Sequence, residues 1–188
     1  MPASEIIFEV NESPEGGYEA RGLGYGIYTE ADTWEQLCST SVTRLYHATA
    51  ALLPDGRVLV AGHDGPFNMP PFDSSEYRLE TYSPPYLFRG PRPVIGGAPS
   101  AIWCSTAFVI DTPAPAEIDR VVLIRQGSIT HQTNTDQRYV GINFERRADR
   151  LICSAPPDSA VAPPGHYMLF LVNRRGVPSV ASWVQVRH

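Results

Sequence analysis

Most of the signatures that mark a familiar chemistry are missing from this sequence. Its three cysteines, Cys38, Cys104 and Cys153, are far apart, odd in number and match no zinc-ligand spacing. A zinc module is therefore excluded; a Cys104–Cys153 disulfide stays open, with buried free thiols the expected state. No stretch approaches the ~18 apolar residues of a membrane span. The N-terminal "MPASEIIFEVNES" is acidic and lacks the charged start and apolar core of a secretory signal. The formal net charge is -5, with acids and bases interleaved and no basic stripe, which argues against a nucleic-acid partner. There is no P-loop, dinucleotide fingerprint, Ser-His-Asp signature or paired-carboxylate motif. As written, the chain is expected to be soluble and cytoplasmic, with no membrane association.

What the sequence has in quantity is punctuation. Eighteen prolines and 15 glycines are scattered through 188 residues, a length that suits one large domain or two small ones. Such a spread suits short strands joined by turns and leaves little room for long helices. In the first part, "GYGIYTEADTWEQL" (24–37) reads as strand, "EADT" turn and strand. "ATAALLPDGRVLVAGHDG" (48–65) is a hairpin, in which proline presets the turn and glycine takes the positive φ. "SSEYRLETYSPPYLF" (74–88) alternates like a half-buried strand, and "FRGPRPVIGG" (88–97) reads as a linker.

Beyond the linker, evenly spaced strand candidates follow: "SAIWCSTAFVIDT", "IDRVVLIRQG", "QRYVGINFER", "RLICSAP", "GHYMLFLVN" and "VPSVASWVQV". With the linker strand, that makes about seven short strands separated by Pro, Gly or Asp turns, which predict an antiparallel immunoglobulin-like β-sandwich over residues 92–188. Trp103 and Trp183 fall in strand patterns and are read as core, so no row of exposed aromatics is expected. His166 is read as a sandwich surface residue and His63 as a solvated turn residue. Residues 1–91 hold about one to one and a half four-stranded units with an aromatic outer strand and a "dGrV.v.G" inner hairpin, the pattern of a propeller blade. A propeller needs more blades than this stretch supplies, which suggests a fragment, a subunit or a degenerate descendant.

Tyr46 and His47 stand side by side just ahead of the hairpin. In a regular strand, neighbouring side chains point to opposite faces. If both serve one site, the backbone must leave the strand pattern there.

"RLYHATAALLPDGRVLVAG", "LIRQGSITHQTNTDQR" and "GHYMLFLVNRRGVPSVASWVQV", in this order, resemble the C-terminal part of the galactose oxidase and glyoxal oxidase family of copper radical oxidases. The resemblance runs from about Arg44 to His188. It implies an all-β chain with the last part of a kelch propeller (1–91) before an early-set immunoglobulin-like sandwich (92–188). It also implies a copper site. Tyr46 would be the axial ligand and the base that takes the substrate hydroxyl proton; His47 and His131 would be the equatorial histidines. Two imidazoles and a phenol oxygen suit tetragonal Cu(II), though ligand type alone leaves Zn(II) and Fe open. Asn134, Asp136 and the threonines of this segment, Thr133 and Thr135, are expected to bond the loop backbone and hold His131 in place. Ala48 stands where the family commonly has serine.

In that family the second one-electron acceptor is a tyrosine cross-linked to a cysteine beneath a tryptophan, in earlier blades. Cys38, Tyr25 and Tyr28 lie on the N-terminal side but stand in no family motif. The expected function is therefore the C-terminal portion of an oxidoreductase. It would convert a primary alcohol or aldehyde with O2 to the oxidised product and H2O2, and would not be catalytically complete as this chain alone. Missing blades from a longer product or another chain, or self-association, are the expected partners, and the family is often secreted. The alternative is a non-enzymatic β-sandwich module for interaction or carbohydrate contact.

Overall fold

The computed structural model describes residues 8–12, 18–22, 28–31, 42, 44, 47–62, 77–130 and 133–188. They form an all-β chain; among them no helix is long and apolar enough to cross a membrane. Strands β1 (Phe8–Glu12), β2 (Tyr18–Gly22) and β3 (Tyr28–Ala31) make an antiparallel three-stranded sheet. β3 runs through Glu30 and Ala31, where a turn is predicted, and Trp34 lies outside the described residues.

Strands β4 (Thr49–Leu52) and β5 (Val58–Ala61) form the expected hairpin, extended by β6 (Glu80–Tyr82). Its turn closes through Leu53 N to Arg57 O and Gly56 N to Leu53 O, both 2.8 Å, with Gly56 at φ +81°. The Asp55 carboxylate accepts from the Arg57 backbone N–H at 3.0 Å, the main cause of its lowered pKa. The strand predicted over 74–88 is cut short. Pro84 and Pro85 offer no N–H to a ladder, and Pro85–Phe88 form a 3-10 turn instead.

The remaining strands are β7 (Ala101–Trp103), β8 (Ala107–Asp111), β9 (Ile118–Arg125), β10 (Ser128–Thr130), β11 (Thr133–Thr135), β12 (Arg138–Ile142), β13 (Phe144–Arg146), β14 (Arg150–Ser154), β15 (Gly165–Asn173) and β16 (Ser182–Arg187). A five-stranded sheet, β12-β9-β15-β16-β7, faces a three-stranded one, β13-β14-β8. This is the predicted sandwich with one difference: β16 and β7 pair parallel, with Val186 opposite Ile102. β10 and β11 form a separate two-stranded ladder.

Two compact units result. One comprises Met1–Thr49, Ala61–Arg78 and Ile129–Thr133; the other comprises Ala50–Val60, Leu79–Ser128 and Asn134–His188. In the second, alternation sends Val121, Leu123, Tyr167, Leu169, Leu171, Val184 and Val186 inward against Phe108, Ile110, Leu151 and Cys153. Fully burying each such side chain contributes about 1.5–3 kcal/mol. β15 is covered on both faces, because its alternate residues Met168, Phe170 and Val172 pack with Val122 and Leu52 on the outer side. That explains its unbroken apolar run.

The hairpin turn is fastened to this unit by three consecutive carbonyls. Pro54 O accepts from Ala181 N at 2.8 Å, Asp55 O from Arg92 Nη1 at 2.7 Å, and Gly56 O from the Tyr86 hydroxyl at 2.6 Å. Arg92 also donates from Nε to Pro178 O at 2.9 Å and from Nη2 to Ser179 O at 2.7 Å.

The tryptophans correct the sequence reading. Trp103 and Trp183 are not core: they are 50% and 48% exposed. The core-facing positions of their strands are Ile102, Val184 and Val186, so alternation turns both indoles outward. His166 is exposed, as expected.

Cys104 and Cys153 are free thiols, Cys153 buried and Cys104 only partly so; Cys38 lies outside the described residues. Burial pushes the Cys153 thiol up to about 12. A thiol whose folded pKa is raised contributes stability fully present below its unfolded pKa of about 9 and lost as pH rises toward 12. Denaturant melts between pH 8 and pH 11 are expected to show this alkaline decline, and Cys153→Val to remove it. In the native chain at neutral pH, a thiol reagent is expected to label Cys104 and spare Cys153.

Candidate metal centre

The first candidate stretch, "RLYH", ends at a backbone anomaly. His47 has φ +58°, in the left-handed region, two residues before β4 begins at Thr49. Histidine is among the residues that tolerate this conformation, but it remains uncommon outside glycine. The regular alternation of side chains therefore does not extend back through His47. That is the condition two adjacent side chains need if they are to turn toward one point.

The turn is held from below by Gly62 and Arg44. A Cβ on Gly62 would lie 2.6 Å from the His47 carbonyl oxygen, and Gly62 itself has φ +76°, so only glycine fits. Arg44 Nη1 donates to Gly62 O at 3.0 Å, and Nη2 donates to Arg78 O at 2.9 Å. The arginine of the motif thus braces the glycine against which His47 rests. The His47 side chain is exposed.

The second stretch, "HQTNTDQR", crosses from β10 to β11 and on to β12. Asp136 is again left-handed, at φ +66°, and its carboxylate pairs with Arg125 Nη2 at 2.8 Å. Arg125 reaches further, donating from Nη1 to Pro163 O and Pro164 O at 3.3 Å each, with its guanidinium over the Tyr167 ring 5.7 Å from the centroid. Thr135 Oγ1 donates to Ser128 O at 3.1 Å and Asn134 Nδ2 donates to Gln137 Oε1 at 2.9 Å. The Asn134 side chain also lies close against Gly127. Of these residues only Thr135 bonds the loop backbone, whereas Asn134 and Asp136 bond the side chains of Gln137 and Arg125, and His131 lies outside the described residues. Arg125, the anchor on β9, had no sequence signal beyond being a cation in an apolar strand.

Three non-glycine residues have positive φ among the described residues, and two of them, His47 and Asp136, fall inside the two motifs. Backbone strain of this kind costs about 1–3 kcal/mol per residue and clusters at functional sites. Of the three proposed donors the structure places His47. Tyr46 and His131 lie outside the described residues, as does His63. Among the described residues no group of three or more His, Cys, Asp or Glu side chains could hold a metal. The donor types nevertheless fit copper: two imidazoles and a phenol oxygen are borderline-to-hard ligands of the kind Cu(II) takes.

Residues 92–186 match the family described as galactose oxidase-like, early set domain. The chain is 40% identical over 162 residues to the "Aldehyde oxidase GLOX" of Vitis pseudoreticulata, covering 78% of this chain and 30% of that protein. It is 34% identical over 165 residues to the galactose oxidase of Gibberella zeae, covering 84% of this chain and 23% of that one. Among solved structures, a fungal alcohol oxidase of the AA5 family in complex with copper superposes with a TM-score of 0.68 at 28% identity. The superposition covers 92% of this chain and 36% of that one. The chain spans no more than 36% of the length of any of these three relatives.

Proposed function

Since the chain belongs to the galactose oxidase-like early set family, we propose that it is the C-terminal portion of a copper radical oxidase. The reaction would convert a primary alcohol, or an aldehyde as its hydrate, with O2 to the oxidised product and H2O2. The observation that carries this reading is the left-handed backbone of His47, which interrupts strand alternation inside the "RLYH" motif.

Tyr46, His47 and His131 would hold the copper. When bound, the metal supplies a one-electron acceptor and polarises the substrate oxygen. The chain's own residues move a proton and hold the ligands. The Tyr46 oxygen takes the proton of the substrate hydroxyl. Gly62 and Arg44 fix the backbone that presents His47. Arg125, through Asp136, tethers the loop that follows His131. Fixing ligands in advance lowers the ordering cost of metal binding. The remaining blades, with the second electron acceptor and the substrate pocket, come from a longer product or another chain in this proposal.

The test is a Cu(II) titration of the purified chain followed by EPR, with His131→Ala alongside. A stoichiometric tetragonal signal with nitrogen splitting, lost in the variant, is the expected result. An unchanged signal in His131→Ala would remove that residue from the ligand set. No specific signal in the parent chain would favour the second reading, an interaction or carbohydrate-contacting module, for which the two exposed tryptophans speak.

A further inference from the structure

The outer face of the five-stranded sheet has two ends of different character. At β9 and β15 it is apolar and closed, with Val122, Met168, Phe170 and Val172 buried alongside Leu52. At β16 and β7 it is open. Core-facing Val184, Val186 and Ile102 leave Trp183, Gln185 and Arg187 on the outer face of β16, with Trp103 on that of β7. The parallel register sets Trp103 opposite Arg187, and β15 sets His166, exposed, opposite Gln185.

The polar groups of this strip are held in place. Arg187 donates to Gln185 Oε1 from Nε at 2.8 Å and from Nη2 at 2.6 Å, and its guanidinium lies over the Trp103 ring, 5.5 Å from the centroid. A guanidinium has five N–H donors, so the Gln185 bonds leave three for something else. No carboxylate pairs with Arg187 among the described residues. Trp183 and Trp103 are half-exposed at the two ends of the strip. With Trp183 four residues before Arg187, the strand rise separates the two tryptophans by about 13 Å along the strand.

We infer that this strip is a binding site for an acidic polysaccharide, a pyranose chain carrying carboxylates. Two half-exposed indoles standing apart on the sheet offer surfaces for the C–H faces of sugar rings, and the Gln185 amide between them and the Arg187 guanidinium beside Trp103 offer hydrogen bonds to hydroxyls. A protein partner would call for a contiguous apolar patch, whereas here Gln185 lies between the tryptophans and Arg187 flanks Trp103. The charge selects the acidic sugar. The strands β7, β15 and β16 contain no Asp or Glu, while Arg187 sits beside Trp103 at one end of the strip with donors to spare. None of these residues belongs to the two metal-site motifs, so the site stands or falls independently of copper.

The experiment is affinity electrophoresis of the full 188-residue chain in gels containing polygalacturonate or a neutral galactan. Polygalacturonate is expected to retard the chain, with retardation falling as salt is raised. Trp103→Ala and Trp183→Ala are each expected to weaken binding about tenfold or more. Arg187→Gln, which keeps a polar surface side chain and spares the core, is expected to weaken binding to polygalacturonate to a similar degree. Thermal melts of all three variants check that the fold is intact. Absence of retardation, or equal retardation of the Trp103→Ala/Trp183→Ala double variant, overturns the site. Equal retardation by the neutral galactan overturns the acidic assignment. A dimer in sedimentation velocity that Trp103→Ala dissolves would make the strip a self-association surface and overturn the glycan reading.

Discussion

Arg92→Ala is expected to destabilise the sandwich unit by about 3 kcal/mol, read as a shift in the urea midpoint at unchanged m-value. Its guanidinium donates to three backbone carbonyls, Asp55 O, Pro178 O and Ser179 O, at 2.7, 2.9 and 2.7 Å. Hydrogen bonds from a charged donor contribute about 1.5–3 kcal/mol each, and these are partly exposed, so the sum is smaller than three such bonds. Truncation removes all three together, because one planar group makes them. Ser179 is fully buried, so its carbonyl loses a partner that water does not readily replace. Arg92→Lys keeps the charge but has no fork to span three acceptors, and is expected to recover less than half of the loss. A lysine variant as stable as the parent would show that charge, not the three-way bridge, is what matters. The hairpin turn should loosen first, since the Asp55 carbonyl loses its partner and the turn keeps only the bonds from Ala181 to Pro54 O and from Tyr86 to Gly56 O.

The second large effect is expected at Gly62. An alanine there would place its Cβ 2.6 Å from the His47 carbonyl oxygen, closer than such atoms approach, at a φ of +76° that an L side chain resists. The obstacle is backbone, so no rotamer change relieves it. The chain must shift, and the residue that shifts with it is His47. Gly62→Ala is expected to cost about 1–3 kcal/mol in local stability and to lower Cu(II) affinity tenfold or more. Gly141→Ala is the control, because a Cβ there meets nothing within 4 Å; it is expected to leave both quantities nearly unchanged. Cu(II) affinity that survives Gly62→Ala intact would mean that the His47 turn does not set the metal site.

Much of this was legible in the residues because the information is local. Pro54-Asp55-Gly56 specifies its turn through proline's fixed φ and glycine's freedom, and the hairpin lies where that turn predicts. The sandwich strands announce themselves by alternation bounded by Pro and Gly. The motifs around His47 and Asn134 are contiguous, so they could be read in order without any fold. The strand predicted over 74–88 overreached because alternation continued up to two prolines that cannot pair.

The misreading of Trp103 and Trp183 is of another kind. Large aromatic residues in strands suggest core, yet Trp183 shares parity with Gln185 and Arg187, and that parity pointed outward all along. Alternation divides a strand into two faces without saying which one another layer will cover. That choice belonged to the sheet order, which set Val184, Val186 and Ile102 against the facing sheet. The same holds for the parallel pairing of β7 with β16, for the three carbonyls that Arg92 gathers from distant loops, and for the salt bridge from Arg125 to Asp136. By itself the sequence determined the strands, the turns and the family motifs, each decided within a few residues by backbone sterics and side-chain alternation. The tertiary structure alone decided which faces were left open and which distant groups satisfied one another, because burial and hydrogen bonding depend on neighbours brought together only by the fold.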